Sequence, residues 1–196
     1  MGFCGVWHSL CCTLTMNTKP IAEKTEVEDN PILLPKKVAE TILPRLDRLV
    51  ASLFVLFHQY QKHHWLVEGP QFRDLHLYLE TNYKEVHGHL DEIAERMTVL
   101  GGVPTGSPSE QQRLSSVEHE PEGLFGMRDM LAADKANEAQ IAEMLRNTIK
   151  VATEIEDFGT ETILKNILVK VEDRAHHLEH YLSSMSLDNG RATQVD

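Results

Sequence analysis

The chain has 196 residues, enough for one domain with a proper core, and carries 30 Asp and Glu against 19 Lys and Arg for a net charge of −11. This acidic balance excludes a globally basic nucleic-acid binder and describes a solvated surface that attracts cations. No apolar run reaches the roughly eighteen residues that a membrane-spanning helix needs.

Residues 1–31 are expected to form a flexible leader. The stretch from Phe3 to Met16 is apolar, but no Lys or Arg precedes it and it lacks a small-residue cleavage site. A secretory signal is therefore not expected, and a start of translation at Met16 is the alternative. Cys4, Cys11 and Cys12 all fall here and no cysteine follows. That excludes a disulfide framework and suits a reducing, cytoplasmic compartment. The three read as part of a dispensable leader in preference to a soft-metal or lipid-attachment site. Asn17 to Pro31 is polar, acidic and unpatterned and continues the leader.

From Ile32 the apolar spacing becomes helical, with Leu46, Leu49, Val50, Leu53, Leu56, Phe57 and Tyr60 recurring at threes and fours. Pro44 either ends a short lead-in turn or is the first residue of this long helix. Gly69-Pro70 marks a turn. A second helix is predicted over 70–100, with Phe72, Leu75, Leu79, Tyr83, Val86, Leu90, Ile93 and Met97 on one side, stopped by Gly101-Gly102 and Pro104. Residues 101–126 form a long connection with a short helix over 109–114. A third long helix is predicted over 127–156. Gly159 is a break, with Thr160 as N-cap of a fourth helix over 161–184. Residues 188–196 form a flexible tail. Strand alternation is absent. Two short links and one long crossing describe an all-α, ferritin-like four-helix bundle over 32–187.

Histidine is the compositional outlier, with eleven in an acidic chain. A lone helical His is usually a surface or satisfied core residue, and His8, His58, His63 and His119 are assigned that role. His64 and His76 differ, because they flank one tight turn and precede the pair Asp91 and Glu95. Those two carboxylates lie four apart, on one helix face and roughly 6 Å apart along the axis. His76 precedes Asp91 by fifteen residues, about 22 Å of helix. One metal cannot bridge that gap. If the four serve one site, two copies of the chain share it. A ferritin-type centre inside one bundle uses Glu-x-x-His motifs. Here Glu85 is followed by Gly88 and Glu172 by Ala175, so a buried intra-bundle di-iron centre is not expected.

The run His64-Trp65-x-Val67-x-Gly69-Pro70-x-Phe72-x-x-Leu75-His76, followed by Asp91-x-x-Ala94-Glu95-Arg96-x-x-x-Leu100-Gly101-Gly102, resembles the signature of the Dps family of mini-ferritins, and the likeness extends over residues 35–185. The resemblance implies a hollow twelve-subunit shell. It implies oxidation of ferrous iron by hydrogen peroxide or oxygen at two-fold interfaces, two irons per centre, with storage of the ferric product as protection against oxidative stress. Carried over, His64 and His76 come from one subunit and Asp91 and Glu95 from its mate. Trp65 packs beside the site, and Glu80 assists the weaker iron position. By ligand chemistry Glu95 can bridge two metals and Asp91 can neutralise charge on the tighter one. Few ligands for two irons leave coordination positions open.

The chain departs from the family at His176, where most members carry a Trp facing the interface. His176 and His180 share a helix face. His176 is expected either to add a third imidazole to the centre, favouring zinc as a competing metal, or to belong to a solvated, His-rich helix end. Glu154, Glu156, Asp157 and Glu161 surround the last turn, a region that lines three-fold pores in similar shells. DNA binding is expected to be weak or absent, because the tails are acidic. The alternatives to a ferroxidase and iron store are a DNA-compacting structural protein and a zinc-holding shell with blunted iron oxidation.

Overall fold

A computed structural model describes residues 20–183. The cysteines and the expected C-terminal tail lie outside the described residues. Five helices occur among them, α1 (Lys36–Leu66), α2 (Phe72–Val99), α3 (Pro108–Leu114), α4 (Met127–Glu154) and α5 (Phe158–Leu182), with no strand. The four long ones build the bundle. α1 packs most extensively on α2 and α4 on α5, α1 also touches α4 and α3, and α2 meets α5 more lightly. The apolar stripe predicted for the first helix is its buried face: Leu46, Leu49, Leu53, Leu56 and Tyr60 are fully enclosed. Truncating one such leucine to Ala costs about 2–5 kcal/mol.

Pro44 neither precedes nor opens α1 but lies within it. It removes the bond that its N–H would give to the Glu40 carbonyl. Both residues are solvent-exposed, so the freed oxygen is on the side of the helix open to water, and the helix continues. The other correction concerns α5. Its N-cap is Asp157, whose carboxylate accepts the Thr160 amide at 3.1 Å, so Thr160 is the capped residue and not the cap. Glu156 before it takes φ +62°, closing a tight turn after α4.

Part of the expected leader is fastened to the bundle. Lys24 Nζ donates to Asp47 at 2.6 Å, and the Glu28 amide donates to the Gly101 carbonyl at 2.9 Å. Asn30 donates to the Leu34 carbonyl at 2.8 Å and accepts the Leu34 amide at 2.9 Å. Gly101, at φ +82°, permits this approach; a Cβ there would meet the Glu28 oxygen at 2.3 Å. These are single polar anchors, which periodicity does not register.

Similar anchors hold the crossover between α2 and α4. The Asp47 carboxylate accepts the Thr105 amide and hydroxyl, each at 2.8 Å. Ser52 Oγ accepts the Ser116 amide at 2.9 Å, and Gln59 Oε1 accepts the Glu120 amide at 3.0 Å. Lys62 donates to the Pro121 carbonyl at 2.8 Å. Most of the connection is exposed, and these partners fix it at the few points where its backbone meets the bundle.

Candidate metal centre

The turn between α1 and α2 brings His64 and His76 together. Gly69 at φ +97° lets five residues reverse the chain, and the two imidazoles stack with centroids 3.8 Å apart. Each ring places Nδ1 3.0 Å from the other residue's backbone carbonyl. A carbonyl only accepts, so each Nδ1 carries the proton and donates. Each Nε2 therefore keeps its lone pair for a metal. Phe72 stacks on His76 at 5.0 Å and Tyr83 meets His64 edge-on at 5.3 Å. Both imidazoles are half-buried, while Trp65 beside them is 66% exposed.

Glu80 lies one turn after His76. A hydrogen bond from Lys84 and the charge of that lysine hold its carboxyl below the usual range, with smaller contributions from His64 and His76. Glu80 thus belongs to the same edge of α2 as the imidazole pair. Asp91 and Glu95 are exposed further along the helix. The next residue, Arg96, ties this end of α2 to the last turn, donating from Nη2 to Asp157 at 2.6 Å and from Nε to Thr160 at 2.9 Å. Gly159 makes room for it, since a Cβ there would lie 3.0 Å from Arg96 Nη2.

Among the described residues no three His, Cys, Asp or Glu side chains converge closely enough to hold a metal. One protomer thus presents an imidazole pair at one end of α2 and a carboxylate pair about 22 Å away, but not a complete centre. His176 is not brought to His64 and His76 within the chain. It is exposed on α5, its Nε2 3.0 Å from Nε2 of His180.

Two buried clusters escaped sequence reasoning. At the middle of the bundle Arg174 of α5 grips Glu138 of α4, from Nε at 2.6 Å and from Nη2 at 3.2 Å. Its Nη1 donates to Glu85 of α2 at 2.6 Å, and Tyr60 of α1 donates to Glu138 at 2.8 Å. Each long helix contributes one group, and the fixed cation among them is a guanidinium. Burial pushes the Glu138 carboxyl up while Arg174 opposes it, and burial keeps the Tyr60 hydroxyl protonated. Nearby, burial and then Arg174 push His89 down to about 4, so it is neutral. The signal was available: Asp134 and Glu138 interrupt the stripe Leu131, Ile141 and Leu145, and Arg174 falls between Val171 and Leu178.

His63 forms the second cluster and is a satisfied core histidine, one of the two roles expected of it. It is fully buried, with Nδ1 2.8 Å from Asp134 and Nε2 3.1 Å from Glu120. Glu120 also pairs with Lys62 at 2.7 Å, and Gln59 donates to Asp134 at 2.8 Å. Burial pulls the His63 pKa down, but the hydrogen bonds and charges of Asp134 and Glu120 outweigh it and the net shift is upward.

This bundle, with its long crossover and its helix-borne His and carboxylate pairs, defines a ferritin-like protein. The sequence profile of the ferritin-like domain matches residues 44–187. A nutrient stress-induced DNA-binding protein of Nostoc is 41% identical over 84% of this chain and 90% of its own length. A DNA protection during starvation protein of Halobacterium salinarum is 40% identical over 88% of this chain and 96% of its own length. Among solved structures, the Dps homologue of Halobacterium salinarum superposes with a TM-score of 0.84 at 38% identity, covering 87% of this chain and 96% of that one. DpsC of Streptomyces coelicolor superposes equally well, with a TM-score of 0.84 at 28% identity over 86% and 99% of the two chains. The chain belongs to the Dps family of mini-ferritins. Among the described residues no helix is long and apolar enough to cross a membrane.

Proposed function

We propose that this protein is an iron-storing shell that oxidises ferrous iron at centres shared by two-fold-related subunits and so shields the cell, its DNA included, during stress. The observation that carries the reading is the mutual fastening of His64 and His76. Two imidazoles are held with both Nε2 lone pairs free, and the carboxylates that would complete a centre lie too far along α2 to belong to the same site. Antiparallel second helices across a two-fold axis would set His64 and His76 of one copy against Asp91 and Glu95 of the other, twice per interface. Exposed Trp65 and Phe72 beside the imidazoles supply apolar surface for that contact.

Iron is the substrate and cargo. The imidazoles bind without adding charge, Asp91 and Glu95 offset the cation charge, and Glu95 is placed to bridge. Glu80 serves the weaker position once Lys84 releases it. Two ferrous ions together supply the two electrons that cleave the O–O bond of one peroxide, and the open positions admit the oxidant. A hollow shell of twelve subunits and a ferric store inside are part of the same proposal, as is Glu154, Glu156 and Glu161 guiding cations at the last turn.

Subunit mixing tests the sharing. His64→Ala and Asp91→Ala shells, each slow in iron oxidation, are dissociated, mixed in equal amounts and reassembled. A shared centre regains about a quarter of the wild-type fast oxidation, because half the interfaces are mixed and each then holds one intact centre of two. A centre within one chain regains none.

A further inference from the structure

We infer that α5 carries a second metal site, separate from the iron-oxidising centre: a two-imidazole chelate made by His176 and His180 for a divalent cation of the copper and zinc class. The two residues are one helical turn apart and both are exposed. Their rings meet edge-on with centroids 4.4 Å apart and bring the two Nε2 atoms to 3.0 Å. With metal–nitrogen bonds of about 2.05 Å, that separation closes an angle of about 94° at the metal. This lies between the right angle of square-planar and octahedral sites and the wider tetrahedral angle, so little rearrangement is needed.

The neighbours narrow the donor set. Glu179 is held by Lys135 at 2.5 Å, and His177 leans toward Asp173 at 3.7 Å and toward the Tyr78 ring. What remains is two neutral nitrogen donors with water completing the shell. Imidazole pairs without carboxylate or thiolate favour Cu²⁺, and after it Zn²⁺ and Ni²⁺, over Fe²⁺. An Nε2···Nε2 contact pairs a donor with an acceptor, whereas a metal needs both Nε2 lone pairs, so each ring binds it as the Nδ1–H tautomer.

The test uses assembled, chelator-stripped shells carrying His64→Ala and His76→Ala, which removes the imidazoles of the two-fold centre. Cu²⁺ is added and followed by equilibrium dialysis and by electron paramagnetic resonance. The expected result is one tight Cu²⁺ per chain with a two-nitrogen splitting pattern. Adding His180→Ala, or His176→Ala, weakens binding at least tenfold and leaves a single-nitrogen pattern, whereas His177→Ala changes neither. Both side chains are exposed, so their truncation leaves the core intact. Unchanged binding after His180→Ala overturns the inference. So does loss of the tight Cu²⁺ from the His64→Ala, His76→Ala shell alone, which would place His176 in the two-fold centre instead.

Discussion

His64 and His76 orient each other: each imidazole donates from Nδ1 to the other's backbone carbonyl at 3.0 Å, and the rings stack between those two bonds. In metal proteins the group that fixes an imidazole's outer nitrogen is commonly a separate carboxylate or carbonyl. Here each histidine's main chain does this for the other imidazole, so the geometry of the pair depends on the backbone turn between them.

If the pair binds iron as proposed, the turn governs activity. Gly69 sits at φ +97° with no atom within 4 Å of an added Cβ, so Gly69→Ala meets backbone strain alone. The expected loss is about 1–2 kcal/mol of stability, with iron oxidation slowed several-fold as the two rings separate. Stopped-flow oxidation beside a denaturation curve checks this. A variant with the stability loss and the full rate would uncouple the turn from the chemistry.

Arg174 is predicted to be costly to remove. Arg174→Met strands Glu138 and Glu85 without their cation and should lower stability by about 3–5 kcal/mol. The double variant Arg174→Met, Glu138→Leu removes the stranded charge at the centre and should recover much of that loss. Thermal unfolding of the two variants, compared at equal protein concentration, measures the difference. Equal losses in both would mean that packing, not charge, makes Arg174 indispensable.

His63 gives the fold a pH dependence of definite sign. Its native pKa lies above the ordinary 6.5, so its contribution is fully present below pH 6.5 and fades as the pH rises through the native value. Burial raises the Asp134 pKa as well, which acts in the same direction. Stability should decline from mildly acidic to alkaline pH, and His63→Gln should flatten that slope while lowering stability at acidic pH. Melting temperatures measured from mildly acidic to alkaline pH decide it.

Duplex DNA should not shift in a gel at neutral pH and about 0.15 M salt. Residues 1–31 hold only Lys19 and Lys24 as basic groups against Glu23, Glu26, Glu28 and Asp29, and Lys24 is engaged by Asp47. The tails give counterion release almost no cationic charge to act on. A clear shift that weakens steeply with salt would show another basic surface at work.

The bundle was legible because its long helices bury regular apolar stripes, and the crossover because glycine and proline punctuate it. The His64 and His76 turn was legible because its residues are adjacent in sequence. The anchors of the crossover were not, since Asp47, Ser52 and Gln59 meet partners 58 to 64 residues away. The same holds for Arg174, whose polar head is explained only by carboxylates on two other helices. Pro44 misled because the rule against proline in helices assumes that the freed carbonyl has nowhere to turn, and at Glu40 it faces water.

The guanidinium at the middle of the bundle has a further consequence. Where a four-helix protein holds iron between its helices, losing the iron leaves bare carboxylates facing one another. In this protein the positive charge is covalently part of the chain, delivered with every newly made subunit. Charge balance at the centre of the bundle is therefore built into the chain and does not wait on a bound cation.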